Sequence, residues 1–563
     1  MNKFVSPLDW VLIALYLIAV VGIGVFAGFV RRKGERGGEG GHYFLAGNTL
    51  KWPVIGLAMF AANISTVHLV SLAEAAYKYG LVFGNFEWMA ASTLILLSLF
   101  FAPLYLRSKV ATLPDFLERR FNRACRDVLT VASIFSAIVI HMGVALYTAA
   151  YVLRSILGFT TGATLFGVDA LLLFIVVLGL LTGVYTMLGG LLAVVWTESV
   201  QTVLLLAGAI VVTVVGYLKI GGWSAMALAL ASHPHPLAAV AGSKINWGTG
   251  NFLHMWRAPG DPSGLAWYSI LLGYPVLGIW YWCCDQTIVQ RVLAAKDEQN
   301  ARLGPLFCAF LKIFPVFLFV LPGVICVALV QQNAFGGSAP QTAADTYPFL
   351  LIHLLPVGLK GLVIAAMLAA AMQTCSAALN STATLVAYDL FKRYRPDISD
   401  HRLVFIGKAT TVAGTLLAIV ASPLFGRYST IFEGINKVIS YVAPPISAVF
   451  LLGVFWKQAS GKSALITLLT GMALGFVAFY LDWNNIYRGD FMLTAFLLFA
   501  ACVVIMIVTS LIFPQPLKDE ARDLIWENWT EPLRVKCGSG LSDYRVISVV
   551  IIVIFSLLYI AFR

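Results

Sequence analysis

Fourteen stretches of this chain are each apolar over the length of a bilayer crossing. They lie near residues 10–30, 52–76, 82–104, 128–158, 168–188, 192–218, 265–285, 304–330, 352–390, 403–423, 430–456, 463–482, 491–514 and 546–562. A lipid interior offers backbone groups no hydrogen bonds, and runs of about 20 apolar residues meet that demand as helices. Of the 563 residues, 60% are hydrophobic and 12% are charged, and the mean hydropathy is +0.86. These values exclude a soluble protein and predict an all-α polytopic membrane protein. They also make the net charge of +11 poor evidence for a nucleic-acid partner. The first run is too long for a signal peptide, lacks a cleavage site and ends in Arg31, Arg32 and Lys33, so it is expected to stay as a helix.

Charge tests the count. With the N-terminus outside, the loops 31–51, 105–127, 286–303, 391–402, 457–462 and 515–545 fall in the cytoplasm and hold 25 Lys and Arg; the outer segments hold 8. That asymmetry over short loops is the positive-inside rule, and it predicts fourteen transmembrane helices with both termini outside. The eight cysteines show no metal-ligand spacing. Neither an HExxH zinc motif nor a GxSxG nucleophile elbow occurs, so an enzyme is not expected.

Two spans carry chemistry that lipid does not tolerate. Residues 52–77 have Asn63, Ser65, Thr66 and His68 at mid-membrane depth. Such residues must face protein, an ion or a water-filled cavity, and they suit a helix broken halfway with carbonyls turned towards an ion. An ordinary buried helix whose Asn and Ser bond to neighbouring helices explains this stretch equally well. The seventh span, residues 264–286, runs the opposite way and is interrupted at Gly273, Tyr274 and Pro275. Two interrupted helices of opposite direction, five helices apart, mark an inverted-repeat transporter. The expected organisation is one transmembrane domain over 1–563. Residues 10–51 form an extra helix and loop, 52–218 the first repeat, 265–456 the second, and 457–563 additional helices. The ninth span adds Ala369 to Ala371, Gln373, Thr374 and Ser376, with hydroxyls, an amide and carbonyls for a hard cation. Close packing of small residues is the other reading of that patch.

At these residues the chain resembles the solute:sodium symporter family, and its sodium/glucose cotransporter branch in particular. The resemblance rests on Ala62-Asn63-Ile64-Ser65, Phe86-Glu87-Trp88-Met89, Gly189-Gly190-Leu191 with Trp196-Thr197-Glu198, Trp280-Tyr281-Trp282, Asp285-Gln286 with Gln290-Arg291, and Leu379-Asn380-Ser381-Thr382. It implies the leucine-transporter type of inverted repeat. It also implies sodium-coupled symport of a neutral hydroxylated solute, a monosaccharide or polyol, across the plasma membrane by alternating access.

The main sodium site would use oxygens of Ala61, Ile64 and Ala370 with Gln373 and Thr374. Gln373 departs from the family's hydroxyl at its position. The solute pocket would draw on Asn63, His68, Glu87, Trp282, Lys312 and Asn436, with Tyr281 closing it from inside. Glu87 and Lys312 also admit a purely structural pairing. A second cation would fall to Glu198 and Ser376, but Ala377 stands where a further hydroxyl is usual, so one sodium per solute is expected. No cofactor beyond sodium as coupling ion is implied. The partners are solute, sodium and membrane lipid. Rival readings are a sodium- or proton-coupled carrier of a carboxylate or other metabolite, and a sugar sensor that does not accumulate its ligand.

Overall fold

The computed structural model describes residues 6–31, 44–159, 162–232, 252–427, 431–484, 486–487, 489–535, 537–538 and 540–563. Apart from a two-residue hairpin pairing Thr164–Leu165 with Val168–Asp169, the described residues are helical or irregular. The helices used below are α1 (Pro7–Arg31), α2 (Trp52–Asn63), α3 (His68–Ser108), α4 (Arg123–Ile156), α5 (Ala170–Ile220), α6 (Trp267–Gly278), α7 (Gln286–Leu293), α8 (Glu298–Gln331), α9 (Leu359–Lys392), α10 (Asp400–Gly426) and α11 (Ile431–Phe455). Three more close the chain: α12 (Gly461–Trp483), α13 (Phe491–Ile512) and α14 (Tyr544–Ala561). Among the described residues, eleven helices are long and apolar enough to cross a membrane, with Pro7–Val20 and Trp52–Asn63 as shorter apolar pieces.

The break expected in the second span is present, and its cause is local. Ile64 leaves the helix with φ −78° and ψ 111°. Ser65 then starts the next segment as an N-cap, its Oγ accepting from Val67 N–H at 3.2 Å. Thr66 fastens the break to α9 by donating to the Met367 carbonyl at 2.6 Å. Further on, α3 reverses at Gly80, whose φ of +77° is costly for any residue with a Cβ. A Cβ at Gly80 would also lie 2.1 Å from the Phe252 carbonyl oxygen.

The second break is not where the sequence put it. Helix α6 runs straight through Gly273, Tyr274 and Pro275. The backbone becomes extended only at Asp285, with φ −84° and ψ 123°. Gly273 serves close packing instead: a Cβ there would lie 2.3 Å from the Met492 carbonyl oxygen of α13. Asp285 makes the break by capping α7, its carboxylate accepting from Thr287 N–H at 2.8 Å.

The opposite directions of the two broken helices are visible in their contacts. Leu50, just before α2, pairs with Ala294 and Lys296, just after α7, at 3.1 and 2.9 Å. Asn63 at the far end of α2 meets Tyr281, which precedes α7. Residue numbers therefore rise along one helix as they fall along the other.

A second departure concerns spans five and six, where no separate loop marks 188–192: the spanning pieces Ala170–Leu188 and Val200–Ile220 are joined within the 51 residues assigned to α5. At ~1.5 Å per residue such a helix is more than twice as long as a bilayer core is thick. It therefore folds back on itself. Gly179 and Gly183 pack on Ile419 and Thr415, antiparallel to α10, whereas Glu198 meets Gln373 and Gly208 packs on Ala366, antiparallel to α9. Since α9 and α10 form a hairpin, the two halves of α5 oppose one another. The expected ninth span is likewise split, into Thr346–Leu354 and α9. All eight cysteines are free, and seven are buried.

Candidate functional site

The break in α2 leaves two carbonyls open. The Ser65 N–H, which would close the helix on Ala61, is directed to His68 Nδ1 at 3.3 Å. The His68 N–H goes to the Ser65 carbonyl at 2.9 Å, bypassing Ile64. Across from them, Thr374 Oγ1 lies 3.4 Å from the Ala370 carbonyl, a contact so long that the hydroxyl is free for a better partner. Ala61, Ile64, Ala370 and Thr374 thus supply the kind of hard oxygen ligands that sodium takes. The amide N–H₂ of Gln373 donates to the Glu198 carbonyl at 3.3 Å, while its Oε1 is buried without a partner.

Beside this break lies a cavity of about 140 Å³. A single water needs only ~10–15 Å³ on a comparable measure, so this space suits a small solute. It is lined by Asn63, His68, Glu87, Tyr281, Trp282, Lys312 and Asn436, and by Thr374 from α9. The structure therefore brings together all seven residues expected at the solute pocket, from α2, α3, α8, α11 and the π-helical turn Ile279–Cys284.

Lys312 organises the wall. Its Nζ lies 2.5 Å from Glu87 Oε2, donates to Asn63 Oδ1, and sits 5.3 Å from the centre of the Trp282 ring. On the other carboxylate oxygen, His68 Nε2 approaches Glu87 at 3.8 Å. Asn63 Nδ2 donates to the Tyr281 hydroxyl at 3.1 Å, joining the α2 break to the aromatic turn. Charged acceptors, amides and ring faces side by side are the mixture that grips a polyhydroxylated ring, which offers hydroxyls at its edge and C–H groups on its faces.

The sequence reading missed His141 on α4, which also lines the cavity and pairs with Asp285 at 3.3 Å. Two oppositely polar residues 144 positions apart carry no sequence signal of their contact. It also missed the partner of Glu198. Arg291 Nη2 lies 2.7 Å from Glu198 Oε1, and both side chains are fully buried. A membrane-buried Arg calls for an acid, and that was the one available clue. Ser376 donates to the Gln373 carbonyl at 2.9 Å, within the same helix. Glu198 and Ser376 are therefore both engaged by the protein, leaving Glu198 Oε2 as the unpartnered atom of the pair.

The sodium:solute symporter family profile matches residues 43–471. Sodium/glucose cotransporter 2 of Rattus norvegicus is 34% identical over 490 residues, spanning 84% of this chain and 71% of that protein. Sodium/myo-inositol cotransporter 2 of the same species is 32% identical over 502 residues, spanning 86% and 71%. Among solved structures, a Na+-coupled sialic acid symporter in a substrate-bound, outward-open state superposes with a TM-score of 0.73. It covers 91% of this chain and 99% of its own, at 22% identity, so the likeness is one of fold.

Proposed function

This chain belongs to the sodium:solute symporter family, and on that premise we propose that it couples sodium entry to uptake of a monosaccharide or polyol. It is a multi-pass plasma-membrane protein that uses sodium as its coupling ion. As in its relatives the work is transport, with no chemical conversion of the solute. The observation that carries the solute reading is the convergence of Asn63, His68, Glu87, Tyr281, Trp282, Lys312 and Asn436 on one cavity beside the open helix break.

In this reading sodium binds the Ala61, Ile64 and Ala370 carbonyls and the Thr374 hydroxyl. Thr66 already ties the break to α9, and the ion tightens that joint. Asn63 lies next to the bound ion and bonds to Tyr281, so sodium binding orders the pocket that the solute then fills. Glu87 accepts from solute hydroxyls, Lys312, itself bonded to Asn63, holds it in place, and Trp282 covers a ring face. Access then alternates as the broken helices rock against α9 and α10.

The proposed topology has fourteen spans and both termini outside, with repeats over 52–218 and 265–456. The Lys and Arg asymmetry supports it, as do the opposed directions of the two broken helices.

The proposed stoichiometry is one sodium per solute, because Arg291 already neutralises Glu198. A potential of 100 mV supplies about 2.3 kcal/mol per charge. A tenfold sodium gradient adds about 1.4 kcal/mol. One ion therefore concentrates a neutral solute up to about 500-fold, and two ions would square that limit. Counterflow in proteoliposomes with labelled sugars, polyols and carboxylates tests the solute class: exchange confined to carboxylates removes the proposal. Reversal potentials with sodium, pH and solute varied in turn give the ratio. A slope for two sodium ions, or one that follows pH alone, overturns the single-ion reading.

A further inference from the structure

The turn between α9 and α10 holds a groove remote from the solute cavity. Its walls are Leu390, Phe391, Tyr394 and Arg395 at the end of α9, and Arg402 and Phe405 at the start of α10. The spacing zones it. Arg395 lies four residues beyond Phe391 and Arg402 three before Phe405, so each helix ends in a guanidinium with apolar side chains one turn deeper. Beyond Phe405, Val412, Leu416 and Val420 continue the same exposed face of α10 along the membrane span.

The two guanidinium groups are not spoken for. Their neighbour Arg393 pairs with Asp127 and Glu118, and Arg123 sits 5.0 Å over the Tyr394 ring. Among the described residues, Arg395 and Arg402 have no ion-pair partner, although Asp397 and Asp400 lie on the same turn. Two exposed cations at the membrane interface, above an apolar slot that opens onto lipid, match one ligand in both charge and shape.

We propose that this groove binds an anionic phospholipid, its phosphate between Arg395 and Arg402 and an acyl chain laid against Phe391 and Phe405. Arg suits the role because a guanidinium engages phosphate oxygens in a bidentate manner. By the positive-inside reading this end faces the cytoplasm, where anionic lipids concentrate. The lipid would fasten the α9–α10 hairpin, against which the broken helices move.

The test is native mass spectrometry of the detergent-purified full chain, titrated with phosphatidylglycerol or phosphatidylcholine. This readout does not depend on which leaflet the groove faces. The expected result is a preference for phosphatidylglycerol that falls about 30-fold in affinity in the R395Q/R402Q double variant, at roughly tenfold or less per charge. R395K/R402K retains most of the preference, and F391S/F405S weakens retention of both lipids. Thermal unfolding of each variant confirms that it is folded. Equal retention of the two lipids by the parent, or an unchanged preference in a folded R395Q/R402Q protein, overturns the proposal. So does displacement of phosphatidylglycerol by an equal concentration of inorganic phosphate or glycerophosphoglycerol, which would make the groove a site for soluble phosphate.

Discussion

Two carboxylates buried in the membrane-spanning region of this protein each face a cation: Glu87 lies 2.5 Å from Lys312 Nζ, and Glu198 lies 2.7 Å from Arg291 Nη2. Their surroundings separate them. Glu87 borders a cavity, is approached by His68 on its second oxygen, and shares Lys312 with Asn63. Glu198 and Arg291 are fully buried, and Glu198 Oε2 has no partner. A charge pair with several partners at a cavity wall can give up one bond to a ligand and keep the rest. A sealed pair has no such freedom, because separating it strands a charge in a medium that cannot solvate it. The same chemistry thus serves recognition in one place and cohesion in the other.

The largest effect should come from breaking the sealed pair. Arg291→Ala leaves Glu198 uncompensated and should cost about 3–5 kcal/mol of stability. Thermal unfolding in detergent reads this, and the double variant R291Q/E198Q should recover part of the loss. A single Arg291→Ala protein as stable as its parent would show that the pair does not hold the fold.

Cutting the cavity pair should act on affinity more than on stability. Glu87→Gln keeps the shape but loses a charge-assisted bond, at about 1.5–3 kcal/mol, or ten- to a hundredfold in apparent solute affinity. Lys312 keeps Asn63 and can hydrate from the cavity, so the melting temperature should fall less than in Arg291→Ala. Solute titration of a well-folded Glu87→Gln protein decides the matter; unchanged affinity removes Glu87 from the pocket.

The smallest effects sharpen the boundary between the two regions. Thr374 lies at the cavity, whereas Gln373, one residue earlier, turns to the Glu198 helix. Thr374→Ala should raise the sodium concentration for half-maximal uptake by up to about tenfold, for the loss of one ~1–1.5 kcal/mol oxygen contact. Gln373→Ala should move it less. Uptake against sodium in the two variants checks the order, and a larger shift for Gln373→Ala would place its amide on the ion.

Individual residues show how much the sequence discloses. Asn63, His68, Glu87 and Lys312 stand out because a polar group in an apolar span is costly enough to need a reason. The break at Ile64 could be anticipated from the Asn, Ser and Thr around it, whose side chains compete with the helix for backbone groups. Gly273 and Pro275 misled for a matching reason. Both weaken a helix, but a membrane span held by its neighbours tolerates Pro and uses Gly for close approach, as here against Met492.

What the sequence determined by itself is the set of quantities that are sums along the chain: hydropathy, the apolar runs, the uneven share of Lys and Arg between alternate loops, and the presence of polar groups within apolar runs. Each depends on local composition against a uniform solvent, so no partner has to be known. Tertiary structure alone decided the pairings, Arg291 with Glu198 across 93 positions and His141 with Asp285 across 144. It also decided where the second broken helix breaks, how α5 folds back, and that the Gln373 amide N–H₂ meets the Glu198 carbonyl. Those outcomes depend on which side chain arrives within about 3 Å of another, and only the packed arrangement of the helices sets that distance.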